Sequence, residues 1–219
     1  MRERIFAQIR SPNGNFKKNT TWIYAVDLCL LSMRRQTYHA RMQCISLIRS
    51  DIGAKAQWLY GQNTARTRWQ ALCTDGTAAM ILYRLMQAAQ RSGIPPLAML
   101  LNKLMVWCCG CIIGRNASFG PRFVLIHSLG VVINTNVQGG EDIYIEHQVT
   151  IGAEKNASPN IGNDVFVGAG AKLIGPIRVG NHVRIGANAV VCKDVPDYAT
   201  AIGVPARNVL PQDQQTSSP

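Results

Sequence analysis

The chain has 219 residues, 47% of them hydrophobic and 16% charged, which excludes a disordered polyelectrolyte and leaves ample length to bury a core. The net charge of +11 lies wholly in the first half: residues 1–111 hold 15 Lys+Arg against 4 Asp+Glu, and residues 112–219 hold 8 of each. A basic half can face nucleic acid, anionic lipid or an anionic substrate. With no arginine-rich run, interleaved aromatics or zinc-finger spacing, nucleic acid drops out as a partner, and peripheral contact with an anionic membrane stays open.

Residues 1–20 are polar and broken by "SPNGN", and read as a poorly ordered leader. "TWIYAVDLCLLSM" is interrupted by Asp27 and lacks a small-residue cleavage site, so no secretory signal is expected and the compartment reads as the cytoplasm. Met42 is an alternative start to Met1. Residues 21–111 read as a basic helical region, with helices expected over about 21–35, 38–60, 64–73 and 76–92. In the last of these Thr77 is the expected cap and Gly93 the stop, and Pro95 or Pro96 opens the next helix. The stretch 94–113 approaches membrane-spanning length, but Asn102 and Lys103 argue for a packed amphipathic helix.

Seven cysteines fit no disulfide framework, and "CCGC" at 108–111 has no second pair or histidine cluster at zinc spacing. No metal is expected, and a reducing compartment suits this usage.

From Ile113 the character changes to Gly, Val, Ile and Asn. In residues 161–191 an apolar residue recurs every sixth position: Ile161, Val167, Leu173, Val179, Ile185 and Val191. A second set follows four behind each: Val165, Ala171, Ile177, Val183, Ala189 and Val195. Extended backward, the period takes in Ile113, Phe119, Leu125, Ile133, Gly139, Ile145 and Ile151, with longer steps after Leu125 and at 153–160. A period of six is the signature of a parallel β-helix, three units to a coil of about 18 residues. The fold class is therefore α+β: helices first, then a hexapeptide-repeat β-helix over 112–209, and a tail at 210–219 that is low in apolar residues and expected to be disordered.

Counting three repeats per coil stacks Leu125, Ile145, Val167 and Ile185. Two residues further on lie His127, His147, Ala169 and Ala187, which should line up outside the solenoid about 4.8 Å apart. Two histidines thus lead into a smooth alanine–glycine trough that a slender ligand can occupy. Neutral imidazole is available near pH 7, so His127 is the candidate general base, with His147 as its partner or a substrate ligand. Cys192 is expected at an inner strand position, which argues against an acyl-enzyme.

Residues from about Thr74 to Val209 resemble the hexapeptide-repeat acyltransferases, specifically the serine acetyltransferase branch. The stretches that carry the likeness are "LIHSLGVVIN", "VTIGAEKNASPNIGNDVFVGAGAKLIGPIRVGNHVRIGANAVV" and "DVPDYATAIGVPARNV", with "SDIGA" at 50–54. The resemblance implies a left-handed β-helix, a homotrimer with sites between subunits, and acetyl-CoA as donor without a metal. It puts the catalytic histidine at His127 and the CoA contacts at Gly168, Ala169, Ala187 and Arg207.

Against that family pattern the carboxylate that orients the histidine aligns with Ile112, and the acid preceding it with Ile126. The Arg-His pair that grips the serine carboxylate aligns with Ala157 and Ser158. Asp142 or a backbone carbonyl is the expected substitute for orienting His127. In "HxxxVVIN" and in His147 before "VTIG" the chain is also similar to exopolysaccharide O-acetyltransferases of the colanic-acid type. The expected function is thus an acetyl-CoA-dependent O-acetyltransferase acting on a saccharide hydroxyl. Serine O-acetylation for cysteine biosynthesis is the alternative, and an inactive β-helix scaffold a second.

Overall fold

A computed structural model describes residues 42–211. The expected helix at 21–35, the leader and most of the tail lie outside these residues. Among the described residues four helices come first: α1 over 42–60, α2 Ala65–Leu72, α3 Thr77–Arg91 and α4 Pro95–Cys109. Pro95 and Pro96 occupy the first turn of α4, where a missing N–H costs nothing. Thr77 does not cap α3. Gly76 takes that place at φ +80°, and the Thr77 hydroxyl turns back to donate to the Ala71 carbonyl at 2.7 Å.

Beyond Cys109 the chain winds into a parallel solenoid with three faces. The first face stacks β1 (Ile112–Ile113), β4 (Val132–Ile133), β7 (Thr150–Gly152), β10 (Lys172–Ile174) and β13 (Val190–Val191). The second stacks β2 (Ser118–Phe119), β5 (Gln138–Gly139), β8 (Asn160–Ile161) and β11 (Arg178–Val179). The third stacks β3 (Phe123–Leu125), β6 (Ile143–Ile145), β9 (Val165–Val167), β12 (Arg184–Ile185) and β14 (Thr200–Ile202), closed by the antiparallel β15 (Arg207–Val209).

Both apolar sets of the hexapeptide period point inward. All twelve residues of the 161–195 stretch are at most 5% exposed. At one inward position the repeat has only Gly139, because a Cβ there would come within 2.3 Å of the Phe119 ring of the coil below. Phe119 and Phe123, stacked at 4.4 Å, fill that space instead.

The helices close the open edge of the first coil. An uncovered edge leaves a row of backbone groups without partners, and side chains from three helices meet them here. Asn102 donates to the Ile113 carbonyl at 2.9 Å, and Gln87 and Tyr83 donate to that of Ala117 at 3.0 and 3.1 Å. The Tyr83 hydroxyl also accepts from the Phe119 N–H at 3.1 Å. Arg84 donates to the carbonyls of Phe119 and Gly120 at 2.8 and 2.6 Å. Asp51 accepts from the Phe123 N–H at 3.0 Å, and Lys55 donates to the Leu125 carbonyl at 2.9 Å.

Arg84 and Asp51, each 1% exposed, also pair with each other at 2.7 Å. The bidentate guanidinium and the Phe123 N–H both favour the Asp51 carboxylate, yet its removal from water outweighs them and shifts its pKa upward. The positions 51, 54, 55 and 58 of α1 share one helical face, so Asp51 and Lys55 reach the coil edge while Trp58 stacks on Tyr144 and Phe166 of the third face.

Candidate active site

The strand register brings the expected column together. Leu125 pairs with Ile145, Ile145 with Val167, and Val167 with Ile185, and the series runs on to Ala201. His127 and His147 therefore leave the same corner of successive coils, with ring centroids 6.0 Å apart and nearly perpendicular. Above them the corner carries Gly168, Ala169 and Ala187. The Gly170 N–H donates to the His147 carbonyl and the Asn188 N–H to that of Ala169, so the corner turns themselves stack. Gly168 is buried, and a Cβ on it would lie 2.7 Å from the Ala187 nitrogen. Arg207 stands exposed at the start of β15, paired with Ile202.

His127 has a carboxylate partner that the repeat does not supply. The Nδ1 of His127 lies 3.2 Å from Oδ2 of Asp75, in the turn between α2 and α3. An ionised carboxylate only accepts, so the pair fixes Nδ1 as the N–H and leaves Nε2 as the basic nitrogen. The other Asp75 oxygen accepts from its neighbour, the Gly76 N–H, at 2.8 Å. The Ser128 hydroxyl stands 3.4 Å from that oxygen and 3.1 Å from the Cys109 carbonyl. At half exposure both members of the pair remain open to a ligand.

The structure puts Asp142 elsewhere. It sits at the corner between the second and third faces, where Arg122 holds it at 2.6 and 2.7 Å and also reaches Glu141. A strand's length separates that corner from His127, so Asp142 does not orient the histidine. Glu146, 3.5 Å from Nδ1 of His147, is the carboxylate beside the second histidine.

The longer step at 153–160 forms a tight hairpin. Glu154 and Ala157 exchange backbone hydrogen bonds around Lys155 and Asn156, both at positive φ. Ser158 bonds Asn134 at 2.9 Å. Cys192 is exposed rather than inward, because Val191 already takes the inner position of β13. It stands three strands up the first face from β4, the strand that follows His127. The CCGC cysteines diverge: Gly110 ends α4 in the left-handed region, leaving Cys108 exposed and Cys111 buried, its thiol pushed up to about 12 by burial. Among the described residues no group of three His, Cys, Asp or Glu is placed to hold a metal ion, and no helix is long and apolar enough to cross a membrane.

Sequence reasoning missed Asp75 and Lys55. Neither lies in a periodic segment, and Asp75 meets His127 across 52 positions of chain. The only local signal was an Asp-Gly pair where a helix begins.

A solenoid with a six-residue repeat, a histidine–carboxylate pair at one corner and a small-residue trough running from it define a hexapeptide-repeat acyltransferase. Residues 158–193 match the family model of the bacterial transferase hexapeptide (six repeats). A serine acetyltransferase of Helicobacter pylori (strain J99) is 39% identical over 150 residues, 66% of this chain and 88% of that protein. A serine acetyltransferase solved in complex with CoA is 30% identical with a TM-score of 0.72, covering 81% of this chain and 74% of that one. The Neisseria gonorrhoeae serine acetyltransferase in complex with serine is 30% identical with a TM-score of 0.70, over 81% and 74%. The chain belongs to the serine acetyltransferase family, and its solenoid is the left-handed β-helix of that fold.

These relatives overturn the expected saccharide acceptor. The likeness to the polysaccharide enzymes rested on a few residues at the histidine corner, which any enzyme using this corner for a base can share. The likeness to serine acetyltransferases extends over helical cap and solenoid together. The apparent loss of the orienting acid, which favoured a redirected or inactive site, also falls away once Asp75 is seen beside His127.

Proposed function

We propose that the protein is a serine O-acetyltransferase that moves the acetyl group of acetyl-CoA to the hydroxyl of L-serine, feeding cysteine biosynthesis in the cytoplasm. The observation that carries this reading is the His127–Asp75 pair at the foot of the small-residue column.

His127 Nε2 takes the serine hydroxyl proton as that oxygen attacks the thioester carbonyl. Asp75 holds the ring in the tautomer that leaves Nε2 free, and steadies the imidazolium once it forms. The tetrahedral intermediate then collapses, the carbon–sulfur bond breaks, and the proton on His127 passes to the departing CoA thiolate. The pantetheine arm lies along Gly168, Ala169 and Ala187, which carry no side chain larger than a methyl, and Arg207 meets the nucleotide end. His147, beside Glu146, lines the acceptor side. That relatives have been solved in complex with CoA and with serine supports a site that takes both substrates.

We read the assembly as a homotrimer whose sites lie between neighbours, in keeping with the hexapeptide family. The apolar residues Ile112, Leu129 and Val132, exposed next to the His127 corner, support a protein-covered surface there. Light scattering at micromolar concentration tests it, and a monomer defeats it.

The function is tested by mass spectrometry of the products after incubation with acetyl-CoA and L-serine. O-acetylserine is expected from the wild-type protein and not from His127→Ala. Wild-type protein that yields none would overturn the reading.

A further inference from the structure

We propose that Lys55 is a positioning residue for this acyl transfer: from helix α1 it clamps together the two backbone segments that carry His127 and Asp75. The inference rests on the reading of His127 as the general base, and extends it to a residue that touches neither substrate nor histidine.

Lys55 is fully buried, and its ammonium donates to two carbonyls. One is the carbonyl of Asp75 itself. The other is that of Leu125, the last residue of β3 and two residues before His127, at 2.9 Å. The charge thus bridges the helical turn that bears the acid and the strand end that bears the base. Gly76 shows how closely these segments approach. A Cβ at that residue would come within 2.5 Å of the Leu125 carbonyl oxygen and 3.1 Å of the Lys55 nitrogen. Two carbonyl oxygens facing each other need a donor between them, and an apolar side chain of equal length would let them part.

The position is costly, which argues against a lysine kept merely as filler. Burial lowers its ammonium to about 8, against the upward pull of the Asp75 charge. A lysine whose folded pKa lies below the unfolded one penalises folding in full below about pH 8, and the penalty fades as pH rises toward 10.5. An apolar residue would not incur it. What the ammonium supplies is register: it ties the His127 corner to the Asp75 turn, two segments that are remote in sequence and whose contact leaves the acid 3.2 Å from the ring. Displacement of a catalytic pair by about 1 Å can cost as much as about 10²-fold in rate.

The test is a double-mutant cycle on the full-length chain, with turnover followed by mass spectrometry of O-acetylserine and folding by circular dichroism and thermal melting. In Lys55→Met, kcat is expected to fall about 10-fold while KM for acetyl-CoA stays within about 2-fold. Lys55→Gln, which keeps a donor, is expected to lie between Met and wild type. If Lys55 acts through Asp75, adding Lys55→Met to Asp75→Asn costs nothing further. Losses that multiply independently, or a folded Lys55→Met with unchanged kcat, would overturn the inference. So would failure of both Lys55 variants to fold, which would make the lysine a prop of the fold rather than of the pair. Wild-type protein without O-acetylserine activity instead defeats the functional reading on which this rests.

Discussion

The solenoid and the helical cap are held by opposite means. In the solenoid each coil repeats the last, so the inward side chains are apolar, the polar backbone pairs with the next coil, and no buried charge is needed. In the cap the buried face carries Asp51, Lys55, Arg84 and Gln87, all pointed at backbone groups of the first coil or at one another. A β-helix generates its own partners everywhere except at its ends. At the first end the cap substitutes side-chain donors and acceptors for the missing coil. The same device brings Asp75 to His127: the proposed base comes from the periodic half and its carboxylate partner from the aperiodic one. The difference shows that a repeat can supply a trough and a base, while an asymmetric pair needs something from outside the repeat.

Substitutions can separate the two halves. The largest effect is expected for His127→Ala, with kcat reduced about 10³-fold or more and the far-ultraviolet spectrum unchanged, measured as O-acetylserine formed per enzyme. Arg84→Met comes next and acts on stability. It leaves the Asp51 charge buried without its cation and strips two coil carbonyls of their donor, so denaturant unfolding should show a loss of about 3–5 kcal/mol. A stable Arg84→Met protein would mean that the first coil does not depend on the cap.

Asp75→Asn is expected to lower kcat about 10–10²-fold, with KM for acetyl-CoA little changed, because the amide cannot stabilise the imidazolium. If it leaves kcat intact, the acid from the cap is decorative and the solenoid works alone. Gly76→Ala places a Cβ at φ +80° against the Leu125 carbonyl, and should cost about 1–3 kcal/mol in a thermal melt together with part of the activity. The smallest effect is expected for Asp142→Asn at the other corner. Its partly exposed pair with Arg122 is worth at most about 1 kcal/mol, and turnover should stay within about 2-fold of wild type.

The β-helix is legible in the chain alone, because a parallel coil buries two side chains at each repeat and that requirement is local and recurring. Ile161 to Val191 states it six times over, and the same arithmetic set His127, His147, Ala169 and Ala187 in one line. The helices beside it were legible from Pro95, Gly93 and their apolar spacing. The cap of α3 was not, because a glycine in the left-handed region at Gly76 is chosen by the closeness of Leu125, which no neighbouring residue announces.

The carboxylate beside His127, the proposed base, comes to light only in the folded chain. The aligned positions Ile112 and Ile126 offer no carboxylate, and Asp142, the expected substitute, is spent on Arg122. Asp75 reaches His127 because α1 and α3 dock their polar face on the open coil edge, and Lys55 sets the turn against the strand end. Periodicity can be read along a chain because each repeat restates it. A contact made once, across 52 residues, exists only when both surfaces have folded and met.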